Sequence, residues 1–481
     1  MKAKNTRRND VNGWIHLCIE GKPRDRGRQH GRALATEIRA ALKTIRYLIL
    51  QDTGLEFAWF AKNAEALFHD SLASNYGGKL TDGSGVEILE EIEGIVEGAN
   101  EKRGPRDAKL TLTDLIGWNA YPELICQWWP AVQSGQLKPA VPMPQEKARA
   151  LAVQAAQGVH RAGFHPHHSC SAFVAVGKQT LDGEIVIAHT TWQRFANGDC
   201  YNVILDIRPE NGARMLMQSV PGYVASSTDF MINSAGLAVT ETSINGSGFD
   251  PSGLPEFFRA RRAAQYGTSI TSWCETFRLG NNGGYTNTWL LADVKKREIS
   301  AYELTLHHDA LQPVLKSGYY AGYNVPLDLG VRNFDVGAAG YDNLLQGAPR
   351  RVRFDALMAL HHGKIDATIA QAILGDHHDP YTRAEFPCSR TICGHFDNDD
   401  CASGSGNPFY PWGSLDGKVT TGALAREMKI LARWGRACGT PLDVKAFLRE
   451  HPQFDWLRGH MQDRPSQPWT EFADVWAKQH S

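Results

Sequence analysis

The spacing of apolar residues changes at about residue 170 of this chain, and that change limits the folds that the chain can adopt. Before it, apolar residues recur every three or four positions over 31–51 and 87–102, which is typical of amphipathic helices. After it, short apolar runs alternate with turn pairs such as Asp182-Gly183 and Asn211-Gly212, which favour hairpins. The runs predict an antiparallel meander of strands over 171–176, 184–189, 201–207, 213–220, 230–233 and 237–244.

The rest of the chain combines both periods. Its pattern predicts helices over 255–266, 351–374 and 420–437 and a hairpin over 288–304. Strands that are apolar on both faces and are flanked by helices favour an α+β fold, with helices packed outside stacked antiparallel sheets. A proline-rich, polar stretch over 130–168 is expected to be an exposed connector. It divides a helical part, residues 1–169, from a second part, residues 170–481.

Charge and composition exclude several classes of function. The chain has 481 residues and a formal net charge of -1, and it has no basic stripe of the kind that nucleic-acid binding requires. The basic cluster over 24–28 is interpreted as a solvated face. No apolar run reaches the roughly 18 residues of a membrane span, and the charged start does not resemble a secretory signal. We therefore expect a cytoplasmic protein with no integral membrane segment and no nucleic-acid partner.

The nine cysteines are an odd number in a large chain, which favours reduced thiols over a disulfide framework. One of them, Cys170, opens the first predicted strand directly after the connector. It is either a small apolar residue at a strand end or a nucleophile. If the peptide bond before it were broken, the new α-amino group, with a pKa of about 7.7 to 8.0, would lie beside the thiol as a general base.

Polar residues on the neighbouring strands supply partners for that thiol. The predicted hairpin brings His189, Thr191 and Trp192 alongside Cys170, although His189 could also be a solvated residue at a strand end. Oxyanion donors are available from Asn233 and Asn287 at turn-to-strand junctions, and two polar residues, Glu241 and Thr242, interrupt an apolar strand. A buried carboxylate at Glu241 needs a partner, so it is either a site residue or a structural one.

Together these residues resemble the phospholipase B-like family. The resemblance rests on Cys170-Ser-Ala, His189-Thr-Thr-Trp192, Pro221-Gly222, Glu241-Thr242, Tyr285-Thr-Asn287-Thr-Trp289, GSLDGKVT over 413–420 and ARWG over 432–435. Two further segments, over 20–38 and 391–395, resemble the related cysteine family of isopenicillin-N acyltransferases and their amidase relatives. The resemblance extends from residue 20 to about residue 440.

The family belongs to the N-terminal nucleophile hydrolases, so the resemblance implies a four-layer αββα sandwich and cleavage between Ser169 and Cys170. It implies that residues 1–169 are a prosegment that stays associated with the catalytic part, residues 170–481. Cys170 becomes the nucleophile, and His189, Trp192 and Asn287 match family positions, whereas Asn233 fits the related acylases. Those acylases carry an arginine and an aspartate near the position of His189, and their absence here favours the phospholipase B-like branch.

The resemblance implies a self-processing hydrolase of amide or ester acyl bonds that needs no cofactor. Its substrate would be a small acyl amide or a lipid, bound beside Trp192, Thr191, Glu241 and Thr242. Acyl transfer to an amine remains an alternative, because it passes through the same acyl-enzyme. A non-catalytic scaffold, in which Cys170 is never released, is a second alternative.

Two segments could bind a metal ion, but the sequence supports this less well than it supports a nucleophile at Cys170. A zinc ion could be held by Cys388, Cys393, His395 and Cys401, but their spacing matches no common structural-zinc pattern. The resemblance of 391–395 to the cysteine family explains part of this segment without an ion. The polar run over 165–168 is interpreted as an exposed cleavage loop in preference to a weak metal tract. We therefore expect no metal site, and no glycine-rich loop supports nucleotide binding.

Overall fold

A computed structural model describes residues 7–76, 84–156, 169–226, 230–336, 341–342, 344, 347–400 and 407–473. The polar run over 165–168 and Cys401 therefore lie outside the described residues. The part before Cys170 contains two strands, eight α-helices and one π-helical turn, Leu124–Trp128, among its described residues. The strands and α-helices are β1 (Arg7–Val11), β2 (Trp14–Gly21), α1 (Pro23–Ala33), α2 (Ala35–Thr53), α3 (Phe57–Tyr76), α4 (Ser84–Glu101), α5 (Leu112–Asn119), α6 (Tyr121–Glu123), α7 (Trp129–Gln133) and α8 (Gln145–Ala156).

The helices of this part confirm the prediction from the three- to four-residue spacing of apolar positions. Helix α2 ends at Gly54, which adopts a φ of 66° that favours glycine, and α5 begins with a capping box between Thr111 and Asp114. Helices α1 and α4 pack closely because glycines line their contact: a Cβ on Gly27 would lie 2.0 Å from the Glu91 carbonyl oxygen.

The basic cluster over 24–28 is only partly the solvated face that was expected. Arg26 is fully buried, and its guanidinium contacts Glu87 at 2.6 Å and Glu91 at 2.5 Å. Arg24 and Arg28 remain about half exposed. The reason is helical geometry, since residues two apart on a helix point to different sides.

The part from Ser169 onward contains most of the strands. Its elements are β3 (Ser169–Gly177), β4 (Gly183–Arg194), α9 (Phe195–Gly198), β5 (Val203–Pro209), β6 (Met215–Ser219), β7 (Phe230–Asn233), β8 (Leu237–Ser243), α10 (Glu256–Tyr266), α11 (Ile270–Arg278), β9 (Asn287–Asp293), β10 (Glu298–Leu304), β11 (Asp309–Leu311), β12 (Gly318–Gly322), α12 (Ala348–Leu360), α13 (Ala367–Leu374), β13 (His378–Asp379), β14 (Ala384–Glu385), β15 (Trp412–Ser414), β16 (Asp416–Thr421), α14 (Gly422–Arg426), β17 (Ile430–Trp434), α15 (Val444–Glu450) and β18 (Thr470–Phe472).

A nine-stranded sheet has the order β1-β2-β5-β6-β7-β8-β9-β10-β11. All of its neighbours are antiparallel except β2 and β5, which run parallel. Strands β1 and β2 come from the part before Cys170, so that part is not purely helical as the sequence suggested. Its two strands are hydrogen-bonded into a sheet whose other strands all follow Cys170.

The second large sheet has the order β12-β3-β4-β16-β17-β18, and β15 also pairs with β4. Strand β3 contacts β8 and β9 of the nine-stranded sheet, so the two sheets lie face to face. Helix α13 contacts β4 and β16, whereas α10 contacts β7 and α11 contacts β9 and β10. The fold is therefore α+β, with antiparallel sheets whose facing strands position the site.

Two predictions from the sequence are wrong in detail. The strands over 171–244 do not form one meander, because the short helix α9 redirects the chain after β4 and places β5 in the other sheet. The helix predicted over 420–437 is the short helix α14 between β16 and β17. Burial alternates along β17 with a period of two, which is a strand pattern.

The other elements agree with the sequence. Helix α10, the pair α12 and α13, and the β9–β10 hairpin all lie where the pattern predicted them. No helix in the described part of the chain is long and apolar enough to cross a membrane.

Candidate active site

The site begins with the β3–β4 hairpin. In its register Cys170 pairs with Thr191, and Ala172 pairs with His189. Since side chains alternate along a strand, Cys170, Thr191 and His189 point to the same face of the sheet. That face lies against β8 of the facing sheet.

Three chemically active side chains meet between the sheets. The Cys170 sulfur, a ring nitrogen of His189 and a carboxylate oxygen of Glu241 lie within 4.8 Å of one another, and all three residues are buried. The Tyr285 hydroxyl donates a hydrogen bond to Glu241 Oε1 at 3.2 Å and so fixes the carboxylate. Cys170, His189 and Glu241, which were predicted from the sequence on three separate strands, therefore form one cluster.

A buried ion pair lies beside this cluster. Lys418 Nζ is 2.9 Å from Asp416 Oδ2, and both side chains are inaccessible to solvent. Lys418 also donates to Thr191 Oγ1 at 2.6 Å, and Asp416 Oδ1 accepts from the Thr191 backbone N–H at 2.9 Å. Thr191 is thus held by this pair. Sequence reasoning missed the pair, because Asp416 and Lys418 lie in a largely polar segment, DGKVTT, whose burial only the structure shows.

The ion pair also affects His189. Burial, together with the positive charge of Lys418, holds the pKa of His189 well below its usual value. The ring is therefore neutral near pH 7. A neutral imidazole can donate one hydrogen bond and accept another but carries no charge toward a substrate.

The backbone of Cys170 is held on both sides of its Cα by residues that sequence reasoning missed. Its N–H donates to Asn324 Oδ1 at 3.1 Å, and its carbonyl oxygen accepts from Arg350 Nη1 at 2.6 Å. Arg350 Nη1 also donates to Asn324 Oδ1 at 2.9 Å. Both residues follow Cys170 by more than 150 positions, so no local pattern could connect them to it.

Arg350 is itself an unusual group. Its side chain is buried, and its guanidinium carbon lies 4.3 Å from the ring centroid of Trp192. Burial lowers the pKa of Arg350 to about 9, which still leaves it charged at neutral pH. The positive charge lies over the aromatic face, which is a favourable cation–π geometry.

The two predicted oxyanion donors differ sharply. Asn287 on β9 is buried, and neither its amide nitrogen nor its amide oxygen has a hydrogen-bond partner among the described residues. Its register partner is Ser243, whose carbonyl accepts from the same Asn324 side chain that binds Cys170. Asn287 therefore lies opposite a residue that shares the Asn324 side chain with Cys170. Its amide nitrogen has no acceptor among the described residues.

Asn233 is already committed elsewhere. Its Nδ2 donates to the carbonyl oxygens of Ala264 and Gly267, both at 3.0 Å, and its Oδ1 accepts from the Leu237 backbone. Leu237 begins β8, four residues before Glu241, which corresponds to about 13 Å along a strand. The expectation that Asn233 stabilises an oxyanion is therefore not supported: both of its donor hydrogens fix the end of β7 against α10.

The remaining predicted residues face the cluster in different ways. By alternation along β4, Trp192 points away from the face that carries Cys170, Thr191 and His189. Trp192 is buried, stacks on Arg350 and lies edge-to-face against Phe396. Thr242 is buried against β12, where a Cβ on Gly322 would lie 2.4 Å from its hydroxyl. Ser169 pairs with Trp192 through the β3–β4 register, so the bond between Ser169 and Cys170 lies within a paired strand.

The structure thus defines an α+β protein with a buried thiol, imidazole and carboxylate between two facing sheets. A sequence model of the family described as Phospholipase B matches residues 85–477, which is most of the chain. The chain belongs to this family.

Curated relatives agree with the family. The chain is 28% identical over 296 residues to "Phospholipase B-like 1" of Homo sapiens, covering 54% of this chain and 50% of that protein. It is 29% identical over 257 residues to "Phospholipase-B 81" of Drysdalia coronoides, covering 47% and 45%. It is 26% identical over 317 residues to "Putative phospholipase B-like 2" of Rattus norvegicus, covering 56% and 53%. The alignments span about half the length of these relatives.

Proposed function

We propose that this protein is a cysteine hydrolase of acyl ester or amide bonds in which Cys170 is the nucleophile. The observation that carries the proposal is the buried cluster of Cys170, His189 and Glu241, whose reactive atoms lie within 4.8 Å of one another. A thiol that serves only for packing would not need a histidine and a carboxylate beside it, because each buried polar group costs free energy.

The fold class that we propose is the N-terminal nucleophile hydrolase fold, a four-layer αββα sandwich. The contact of β3 with β8 and β9 supports two central sheets. The contacts of α10 and α11 on one sheet, and of α13 on the other, support two outer helical layers.

The first reaction in this proposal is self-processing. The Cys170 thiol attacks the Ser169 carbonyl carbon, and the bond from that carbon to the Cys170 nitrogen breaks while the nitrogen gains the thiol proton. Water then hydrolyses the thioester, leaving a carboxylate on Ser169 and a free amine and thiol on Cys170. Asn324 Oδ1, already 3.1 Å from this nitrogen, is placed to hold the new amine.

The two resulting chains are proposed to stay associated. Strands β1 and β2 remain in the nine-stranded sheet, and the parallel pairing of β2 with β5 joins the two chains. Across the same boundary Glu91 contacts Arg261 at 2.8 Å, with both side chains fully buried. Cleavage would therefore produce one intertwined molecule.

Turnover would use the same groups on an external acyl bond. The free α-amine of Cys170 accepts the thiol proton, the sulfur attacks the carbonyl carbon, and the leaving alcohol or amine takes the proton. Asn287, whose amide is unpartnered among the described residues, donates to the developing oxyanion. Water then resolves the thioester, while neutral His189 lies beside the sulfur. Trp192 points to the other face of β4, where it packs on Arg350.

We propose a phospholipid or lysophospholipid acyl ester as the substrate, because the curated relatives are named as phospholipases B or phospholipase B-like proteins.

Intact-mass analysis tests the self-processing step. The purified chain should convert into fragments of residues 1–169 and 170–481, and Cys170→Ala should remain intact. Cys200→Ser provides a matched control, because Cys200 is another partly buried thiol that donates to a backbone carbonyl. A wild-type chain that stays intact on prolonged incubation would contradict the proposal.

A panel of phospholipids, lysophospholipids and N-acyl amines tests the activity. Mass spectrometry of a quenched reaction should show an acyl group on Cys170 and release of free fatty acid. Because a thiol, an imidazole and a carboxylate can also bind a metal, the metal content of the wild type is compared with that of Cys170→Ala, and the two should be equal. Absence of both acyl-enzyme and product from processed protein would exclude acyl-bond hydrolysis.

A further inference from the structure

Four potential metal ligands converge at a second place in the fold. The ligand atoms of His377, Cys393, His395 and Cys438 all lie within 4.8 Å of one another. His395 Nε2 is at their centre, 3.1 Å from His377 Nε2, 3.4 Å from Cys393 Sγ and 3.6 Å from Cys438 Sγ. Cys393 and His395 are buried, and the other two are partly buried.

These separations fit the edges of one coordination tetrahedron. With zinc bonds of about 2.0–2.1 Å to nitrogen and 2.3 Å to sulfur, tetrahedral edges are roughly 3.3 Å between nitrogens and 3.6 Å between nitrogen and sulfur. The measured nitrogen–nitrogen separation of 3.1 Å and nitrogen–sulfur separations of 3.4 and 3.6 Å lie close to those values. A single ion could therefore contact all four atoms with only small side-chain movements.

Hydrogen bonding explains this arrangement less well. A neutral imidazole nitrogen makes one hydrogen bond, as a donor or as an acceptor. Three polar atoms surround His395 Nε2, so hydrogen bonds to that nitrogen would satisfy only one of them at a time. A metal ion would satisfy all four groups together.

The ligands lie on segments that other contacts already hold in place. The Cys393 N–H donates to the Asp376 carbonyl at 3.1 Å, which ties the Cys393 loop to the residue before His377. The Asp376 carboxylate accepts two hydrogen bonds from Arg353, from Nε at 2.9 Å and from Nη2 at 2.6 Å. The residue before Cys438, Ala437, donates its N–H to Ser414 Oγ at 3.0 Å. The backbone is therefore arranged for binding by contacts that involve no metal.

We propose that His377, Cys393, His395 and Cys438 bind one zinc ion as a closed, structural Cys2His2 site. Two sulfur and two nitrogen ligands in a tetrahedron are typical of zinc, and four protein ligands leave no open position for substrate. This goes beyond the proposed hydrolase function and differs from the expectation that the chain has no metal site. Of the residues considered in the sequence, Cys393 and His395 belong to the cluster, Cys388 does not, and Cys401 lies outside the described residues.

The site lies beside Trp192, on the face of β4 opposite to the Cys170 side chain. Gly394, between two of the ligands, packs so tightly on Trp192 that a Cβ there would lie 2.6 Å from the indole. The Gly394 carbonyl also accepts from the Ser414 N–H at 2.9 Å. A metal at the cluster would hold this loop against Trp192, and so against Arg350, as a positioning element.

Metal content and spectroscopy test the proposal on the full-length protein. After expression with zinc and extensive dialysis, the wild type should retain about one zinc per chain. Cobalt substitution should give the intense visible bands of a tetrahedral thiolate site. Cys438→Ser and His377→Gln should lose most of the zinc and change those bands, while Cys200→Ser and His378→Gln should retain both.

Folding and redox state are measured in parallel. Each variant is checked by circular dichroism, and added zinc should raise the melting temperature of the metal-stripped wild type but not that of the ligand variants. Folded wild type without bound zinc or cobalt spectrum would overturn the proposal. So would a Cys393–Cys438 disulfide found by peptide mass analysis in protein kept under reducing conditions.

Discussion

The guanidinium of Arg350 donates a hydrogen bond of 2.6 Å to the backbone carbonyl of Cys170. The same guanidinium lies over Trp192 and contacts Asn324, which binds the other side of the Cys170 backbone. One residue of α12 thus contacts the backbone of the candidate nucleophile, Asn324, which is proposed to hold its free amine, and Trp192. Arg350 is a positioning residue in this arrangement, since it holds the peptide unit that carries the thiol.

We expect Arg350→Lys to lower kcat by roughly ten- to a hundredfold, because a lysine cannot reproduce the planar contacts and small displacements of a nucleophile are costly. KM should change much less. The matched control is Arg351→Lys, the next residue on the same helix, whose partners are Asp342 and the ring of Tyr341. Steady-state kinetics on processed protein measure both. Equal losses in the two variants would contradict a specific role for Arg350.

Asn324→Asp should shift the pH dependence of the reaction. The new carboxylate would lie beside the free α-amine of Cys170, and an opposite charge favours the protonated amine. The pKa of the amine therefore rises, and the unprotonated amine that the mechanism needs appears at higher pH. The acidic limb of kcat/KM should move upward by about one pH unit. An unchanged profile in a folded, processed variant would show that the amine does not contact this residue.

The sequence predicted much of this site because its residues lie on paired strands. The loop over 178–182 closes the β3–β4 hairpin between the paired residues Gly177 and Gly183, and the resulting register brings His189 near Cys170. Glu241 could be selected because a carboxylate in an apolar strand needs a partner. These residues come together because two sheets pack face to face, and local sequence patterns do not determine how sheets pack.

The residues that were missed depend on long-range packing. Arg350 lies on a helix whose pattern is ordinary, and its role comes from the docking of that helix beside β3. His377 and Cys438 contact His395 across 18 and 43 residues, so their spacing matched no zinc pattern. Asn233 was selected for its residue type and position at a turn, and only the structure shows that its amide is already bonded to α10 and Gly267.

Asn287 and Asn233 provide a direct comparison between a catalytic and a structural amide. Asn287→Ala should lower kcat by about 10²- to 10³-fold, because it removes an oxyanion donor. Asn233→Ala leaves two buried carbonyls without their donor, so it should lower the free energy of unfolding by about 1–3 kcal/mol while the folded fraction keeps its kcat. Kinetics and urea denaturation separate the two effects. If Asn233→Ala lowered kcat as strongly as Asn287→Ala at equal folded fraction, the assignment would be reversed.

Glu91→Gln should destabilise the whole molecule, because Glu91 is buried between Arg26 and Arg261 on opposite sides of the proposed cleavage site. Removing its charge takes away the carboxylate that pairs with the buried Arg261 and leaves Arg26 with Glu87 alone, which costs about 3–5 kcal/mol. Glu97→Gln is the control, since Glu97 lies on the same helix, α4, in an exposed pair with Arg24 and should change stability by about 1 kcal/mol or less.

The same carboxylate should make stability depend on pH. Burial alone would raise the pKa of Glu91, but Arg26 and Arg261 outweigh it and hold that pKa below its usual value. A lowered folded-state pKa contributes stability above the unfolded value of about 4.3, and that contribution is lost as pH falls further. Urea titrations from pH 7 to pH 3 should show this loss in the wild type and a flatter profile in Glu91→Gln. Parallel profiles for the two proteins would show that Glu91 is not ionised in the folded state.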